Sequence, residues 1–177
     1  KLSSVQIMKA TPLLYLHRLI RLWPAMTVYI FFSWKVVPYF TTGPVWFYYK
    51  GEADECGDTY WANLILLNNF LPSGKQSLCW GQLWYLPNDF QFFMITPFLL
   101  LLYVRVGKKT GLAAITAVLF ASFITVFVLT KTIPFHVNLG NGTPQDPEYV
   151  HYYIAPYSRI PTYIVGIYLG LFYAEKN

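Results

Sequence analysis

The placement of charges relative to four long apolar stretches constrains this chain more than any other feature. The stretches cover residues 22–40, 89–104, 111–130 and 156–174. Lys1, Lys9, Arg18 and Arg21 precede the first; Arg105, Lys108 and Lys109 separate the second from the third; Lys176 follows the fourth. The acids Glu52, Asp54, Glu55, Asp58, Asp89, Asp146 and Glu148 fall in the two remaining connections. Short connections rich in Lys and Arg stay on the cytoplasmic side of a bilayer, because translocating them is costly. The alternation predicts four spans, with the N-terminal end in the cytoplasm and the acid-bearing connections in the lumen or exterior. The expected fold class is all-α: a polytopic transmembrane helix bundle of four spans plus one re-entrant or interfacial segment.

Composition points the same way. The chain is 55% hydrophobic, 20% aromatic and only 12% charged, which moves it from the soluble to the membrane class. Its net charge of +5 is spent at helix ends, where an anionic cytoplasmic leaflet favours it. No RNA- or DNA-binding module is visible, so no nucleic-acid partner is expected. The expected location is an integral, multipass position in the endoplasmic reticulum or plasma membrane, with membrane lipid as partner. The chain runs from Lys1 to Asn177 with no signal peptide or retention motif. It reads as an internal piece whose partners include the remaining transmembrane helices of a longer protein.

Cys56 and Cys79 both lie in the first non-cytoplasmic connection. Thiols in an oxidising compartment pair readily, so a disulfide is expected, contributing on the order of 3 kcal/mol by restricting the unfolded chain. Asn141-Gly142-Thr143 is an N-glycosylation sequon in the second such connection.

Along the chain, Thr11-Pro12 reads as N-cap and first helical residue of a helix that exits near Pro38, with Pro24 bending it and Lys35 snorkelling outward. Residues 60–70 (YWANLILLNNF) are apolar but too short to span, and predict interfacial or re-entrant structure. Trp46, Trp61, Trp80 and Trp84 suit an interfacial belt. Asn88-Asp89 reads as the capped start of the second span, and Pro97 as a kink within it. Gly166 and Gly170, four apart, allow close approach of another helix.

Chemistry is sparse. There is no phosphate-binding glycine loop, no GxSxG elbow and no HExxH. His17, His136 and His151 are scattered, so neither a metal nor a bound cofactor is expected. The strongest constellation is His17-Arg18-Leu19-Ile20-Arg21-Leu22-Trp23-Pro24. At helical spacing Arg18 and Arg21 project from one face. Two guanidinium forks suit a phosphate-bearing cytoplasmic ligand, since each offers bidentate contacts. An orientation-setting basic flank has the same spacing, which leaves both readings open.

Three blocks, YLHRLIRLWP, CWGQLWYLPNDFQFFMITP and YYIAPYSRIPTYIVGIYLG, resemble membrane-bound acyltransferase 3 proteins in order and spacing, in particular the animal nose-resistant-to-fluoxetine branch. The resemblance covers the chain from about Tyr15 to Tyr173. It implies a polytopic enzyme moving an acyl group, other than an amino-acyl group, from a cytoplasmic thioester such as acyl-CoA to a lipid, sugar or other hydroxyl acceptor. The family's RxxRLxP motif maps onto Arg18, Arg21, Leu22 and Pro24, which implies a donor-binding role for both arginines. The family's catalytic histidine belongs to an earlier helix, and His17 is not its counterpart. The catalytic base is therefore unassigned, and the fragment is expected to be a catalytically incomplete part of an O-acyltransferase.

Asp89 is the one further candidate for a catalytic or acceptor-side role, and helix capping is the alternative. Trp84, Tyr85, Asn88 and Gln91 are expected to pack or hydrogen-bond around it. Arg159 is expected to pair with Asp89 or the acidic first loop, or to snorkel. The competing reading of the whole chain is a non-enzymatic membrane protein that binds or transports hydrophobic small molecules or lipids.

Overall fold

The computed structural model describes residues 4–40, 42–44, 46–70, 79–133 and 149–176. Its secondary structure among these residues is entirely helical. Five α-helices follow one another: α1 (Ser4–Lys35), α2 (Trp46–Leu64), α3 (Tyr85–Arg105), α4 (Lys108–Thr132) and α5 (Pro156–Lys176). Short 3₁₀ turns lie at Val37–Tyr39 and Gly81–Trp84, and a π turn at Tyr149–Tyr153 precedes α5.

The helix α1 begins at Ser4, well before Thr11, and runs unbroken through Pro12 and Pro24 to Lys35. Thr11 is not a cap. Its Oγ1 donates to the Ile7 carbonyl one turn back, 2.7 Å away, the usual fate of a threonine inside a helix. Two halves of α1 serve different neighbours. The N-terminal half lies antiparallel to α3: Tyr15 donates to the Met94 carbonyl (2.6 Å) and Arg105 reaches the Met8 sulfur (3.6 Å). The C-terminal half presents Met26, Ile30 and Ser33, buried at spacings of four and three, toward α2.

That second contact corrects the reading of the first acidic connection. The helix takes up 46–64, and the apolar run 60–70 is its last turn plus a series of tight turns rather than a unit of its own. Ala53, Cys56, Thr59, Ala62 and Asn63 are buried along one helical stripe of α2. Asp54 and Asp58 point away from it to the exterior. The Cys56–Cys79 disulfide is present, across 23 positions, with both residues fully buried. It closes a core containing Met26, Ile30, Leu66, Trp80 and Leu83. Trp80 sits at φ +55, in the left-handed region, where the chain reverses into the 3₁₀ turn before α3. Lys35 lies over its neighbour's ring, 3.6 Å from the Trp34 centroid, and the cation is held there.

The helices α3, α4 and α5 form a second body of packing. Gly107 at φ +130 reverses the chain between α3 and α4. Gly111 lies so close to α3 that a Cβ there would stand 2.4 Å from the Tyr103 Cα. Antiparallel α4 and α5 are tied at three levels: Lys108 to Glu175 (2.8 Å), Thr116 to the Tyr168 hydroxyl, and Ser122 Oγ to the Tyr157 carbonyl (2.5 Å). Hydrogen bonds from Lys108 and then Tyr103 hold the Glu175 carboxyl below its ordinary pKa. Gly166 and Gly170, by contrast, have no described atom within 4 Å of an added Cβ, so their expected close approach is not made by any of the described helices.

Of these helices, α4 alone is long and apolar enough to cross a membrane by length and composition, with a mean hydropathy of 2.6 over its best window. The four predicted spans are thus reduced to one by that test. The physical reason is polar content within these helices: His17, Arg18 and Arg21 in α1, and Asn88, Asp89 and Gln91 in α3. Lys1, Asn141, His136, Asp146 and Glu148 lie outside the described residues, as does the expected glycosylation site with them.

Candidate functional site

Leu14, His17, Arg18, Arg21 and Leu22 recur at three- and four-residue intervals, which puts them on one face of α1. Facing them, Asp89 and Phe93 lie four apart on α3. Together these seven residues line an open cleft of about 310 Å³ between the two helices.

One wall of the cleft is fixed by charge. Arg18 Nη2 donates to Asp89 Oδ2 at 2.5 Å, with both side chains about one-third exposed. The Arg18 guanidinium also lies 4.4 Å from the Phe93 ring centre, so it is held between a carboxylate and an aromatic face. Arg21 has no acidic partner among the described residues and is exposed into the cleft. His17 shares that face and is likewise exposed. The two arginines are therefore not equivalent forks. Arg18 is neutralised and positioned, whereas Arg21 offers its five donors outward.

This pairing corrects two expectations. Asp89 does not cap α3, because the helix starts four residues earlier at Tyr85. Nor do the arginines sit on a flank level with Arg105, Lys108 and Lys109. Arg18 is level with Asp89, and the distance from Asp89 to Arg105 along α3 is roughly 24 Å at 1.5 Å per residue. The basic motif lies inside a continuous helix, toward the end of α3 that carries the disulfide.

The residues expected around Asp89 are engaged elsewhere. Asn88 and Gln91 belong to a buried amide network centred on Asn69. The Asn69 Nδ2 donates to Asn88 Oδ1 (2.7 Å) and Gln91 Oε1 (3.0 Å), and Gln91 returns a bond to Asn69 Oδ1 (3.0 Å). Asn88 Nδ2 donates to the Ile154 carbonyl (2.8 Å), and Gln91 Nε2 to the Leu66 carbonyl (3.1 Å). The network ties the turns after α2 and the entry to α5 onto the first turns of α3. Its role is to fix the backbone that carries Asp89, since buried amides left unpaired are costly.

Arg159 does not meet Asp89. Its Nε donates to the Tyr153 carbonyl (2.7 Å), and its guanidinium lies over the rings of Trp84 (5.0 Å) and Tyr153 (4.7 Å). Tyr85 is largely exposed and packs edge-on to Trp84. His17 and Phe93 were not assigned to the site from sequence, though the α1 face was readable from its spacing. Asn69 gave no signal, because nothing local links it to Asn88. Among the described residues no group of three or more His, Cys, Asp or Glu converges as a metal site would require.

Comparisons with known proteins agree with the blocks of resemblance. The family model for the acyltransferase 3 domain, described as an acyltransferase domain, matches residues 7–177. The Caenorhabditis elegans protein named Nose resistant to fluoxetine protein 6 is 31% identical over 163 residues, covering 88% of this chain and 20% of its own length. The chain thus spans a fifth of that curated relative. No solved structure matches.

Proposed function

The chain belongs to the acyltransferase 3 domain family, and on that premise we propose that its full-length protein moves an acyl group from a thioester donor of the acyl-CoA type to a hydroxyl of a lipid, sugar or other acceptor. The observation that carries this reading is the open Arg21 beside the neutralised Arg18 in one cleft. A phosphate-bearing donor meets a single unpaired fork there, on a wall whose geometry the Asp89 pair already holds. Acyl transfer also needs a group that accepts the hydroxyl proton within hydrogen-bond reach. His17 lines the cleft, and further helices of the longer protein are available to supply that base.

The protein is read as integral to a membrane. The helix α4 supplies one clear span. The helices α3 and α5 lie alongside it and the N-terminal half of α1 lies along α3, which supports one slab shared by all four, with polar side chains such as Arg18 and Asp89 turned to one another. The Lys and Arg at the Arg105–Lys109 end favour a cytoplasmic position for that end and for the start of α1. The buried disulfide supports an oxidising compartment at the opposite end. The cleft then lies within the slab, and the acyl end of a cytoplasmic donor has to be drawn inward to reach it.

The test is direct labelling. Membranes containing the full-length protein are incubated with acyl-CoA carrying a photoreactive acyl chain, then irradiated and mapped. Crosslinks on α1 or α3 peptides lining the cleft, competed by unlabelled acyl-CoA, are the expected result. Labelling that ignores acyl-CoA but is competed by an apolar, non-ionic ligand moves the carrier reading ahead. The observation on that side is a second groove of about 440 Å³, whose lining includes Phe123, Val126 and Phe127 of α4 and Pro161 of α5.

A further inference from the structure

Arg159 carries its charge toward one end of the helix bundle. Its backbone is level with about Ser122 of α4, because Tyr157 is tied to Ser122 and Glu175 to Lys108. The guanidinium lies beyond that level. It stacks on Trp84, which directly precedes α3, and α3 runs antiparallel to α4 with Tyr103 beside Gly111, so the head stands near Thr130 at the end of α4.

Two aromatic rings hold the head there. The Trp84 and Tyr153 rings stand 5.0 Å apart and tilted by 59°, forming a two-walled corner. The guanidinium carbon sits in that corner, at comparable distances from both ring centres. Rings of this kind attract a cation through their negative faces, most strongly where water is scarce. The bond from Nε to the Tyr153 carbonyl fixes the direction of the planar fork. Neither ring nor carbonyl removes the positive charge. Among the described residues Arg159 forms no ion pair with any carboxylate. The four N–H donors on its terminal nitrogens make no hydrogen bond to the described residues. Arg18, by comparison, has its charge matched by Asp89.

We propose that Arg159, held by Trp84 and Tyr153, is a binding site for an oxyanion of the phosphate class, the headgroup of an anionic membrane lipid being one source and a soluble phosphate the other. A planar fork already oriented loses little entropy on receiving two oxygens of such a group, and each bond is charge-assisted. This assignment does not depend on acyl transfer. It holds equally if the protein is a carrier.

The experiment uses the full-length protein in nanodiscs of phosphatidylcholine containing a spin-labelled lipid, either phosphatidic acid or phosphatidylcholine, with the wild type, Arg159→Lys and Arg159→Gln compared. The expected result is preferential retention of phosphatidic acid by the wild type. It should weaken several-fold in Arg159→Lys and fall by about tenfold or more in Arg159→Gln, the effect of a lost charge-assisted contact. Arg159→Lys keeps the charge, so the comparison survives if Arg159→Gln fails to fold. Inorganic phosphate added to the same samples separates the sources. Displacement of the labelled lipid at millimolar phosphate assigns the site to a soluble anion, and resistance to displacement assigns it to the lipid headgroup. Equal retention of phosphatidic acid by all three proteins overturns the proposal.

Discussion

Arg18 and Asp89, 71 positions apart, meet at 2.5 Å and hold α1 against the first turns of α3. The contact decides which arginine of the family motif is structural and which is open to a ligand. A partly exposed pair is screened by solvent, so its strength lies between that of a surface bridge and that of a buried one.

A double-mutant cycle on Arg18→Ala and Asp89→Ala measures that pair. Each single change strands a charge, and the double change strands neither. The expected coupling is about 1–2 kcal/mol, read from unfolding of the full-length protein in detergent. A coupling indistinguishable from zero would show that the contact holds nothing together.

Arg21→Lys separates a binding fork from a basic flank. The charge stays, so insertion and lipid attraction are unchanged, but bidentate contact is lost. The loss of one charge-assisted hydrogen bond costs about 1.5–3 kcal/mol, roughly ten- to a hundredfold in donor affinity. Equilibrium binding of acyl-CoA to the full-length protein is the measurement. Arg18→Lys should weaken binding less, since Arg18 is already engaged by Asp89. Acyl-CoA affinity unchanged in Arg21→Lys removes the donor role.

Much of the helical architecture was legible because it rests on local signals. Apolar length located α4, and the fourth apolar stretch begins where α5 does, at Pro156. The disulfide was legible from two cysteines in one connection. What failed was register between distant segments. Thr11-Pro12 looks like a helix start, yet Ser4–Ala10 continue the helix because α1 packs along α3. Asn88-Asp89 looks like a cap, yet both side chains are claimed by residues on other elements, Asn69 and Arg18. Half of the candidate site, the α1 face, could be read from helical spacing. Its other half depends on which residue of α3 comes level with Arg18, and no local pattern encodes that.

Gly111→Ala tests the closest helix contact in the chain. The added Cβ would lie 2.4 Å from the Tyr103 Cα and 2.9 Å from its backbone nitrogen, so the helix itself would have to move. Overpacking of this kind costs about 1–3 kcal/mol. A clear drop in thermal stability is expected, measured in detergent. Gly166→Ala is the control, because nothing among the described residues stands within 4 Å of its Cβ. Equal behaviour of the two variants would mean that α3 and α4 do not approach as described.

The disulfide and the basic turn between α3 and α4 test orientation together. Cys56 and Cys79 are bonded and buried at one end of the molecule, and Lys108 lies at the other, joined to Glu175. Opposite ends of a membrane bundle meet opposite compartments, and only one of these is oxidising. Non-reducing peptide mapping of the full-length protein should recover Cys56 and Cys79 in one linked peptide. If the Lys and Arg of that turn keep it cytoplasmic, as proposed, a cysteine placed at Lys108 should react with an impermeant maleimide only when the cytoplasmic face is open. Removing both cysteines should cost about 2–4 kcal/mol, since the bond closes a loop across 23 positions. The loss should first loosen the Trp80 turn that leads into α3. Labelling at position 108 from the luminal face alone would invert the bundle and put the start of α1 outside.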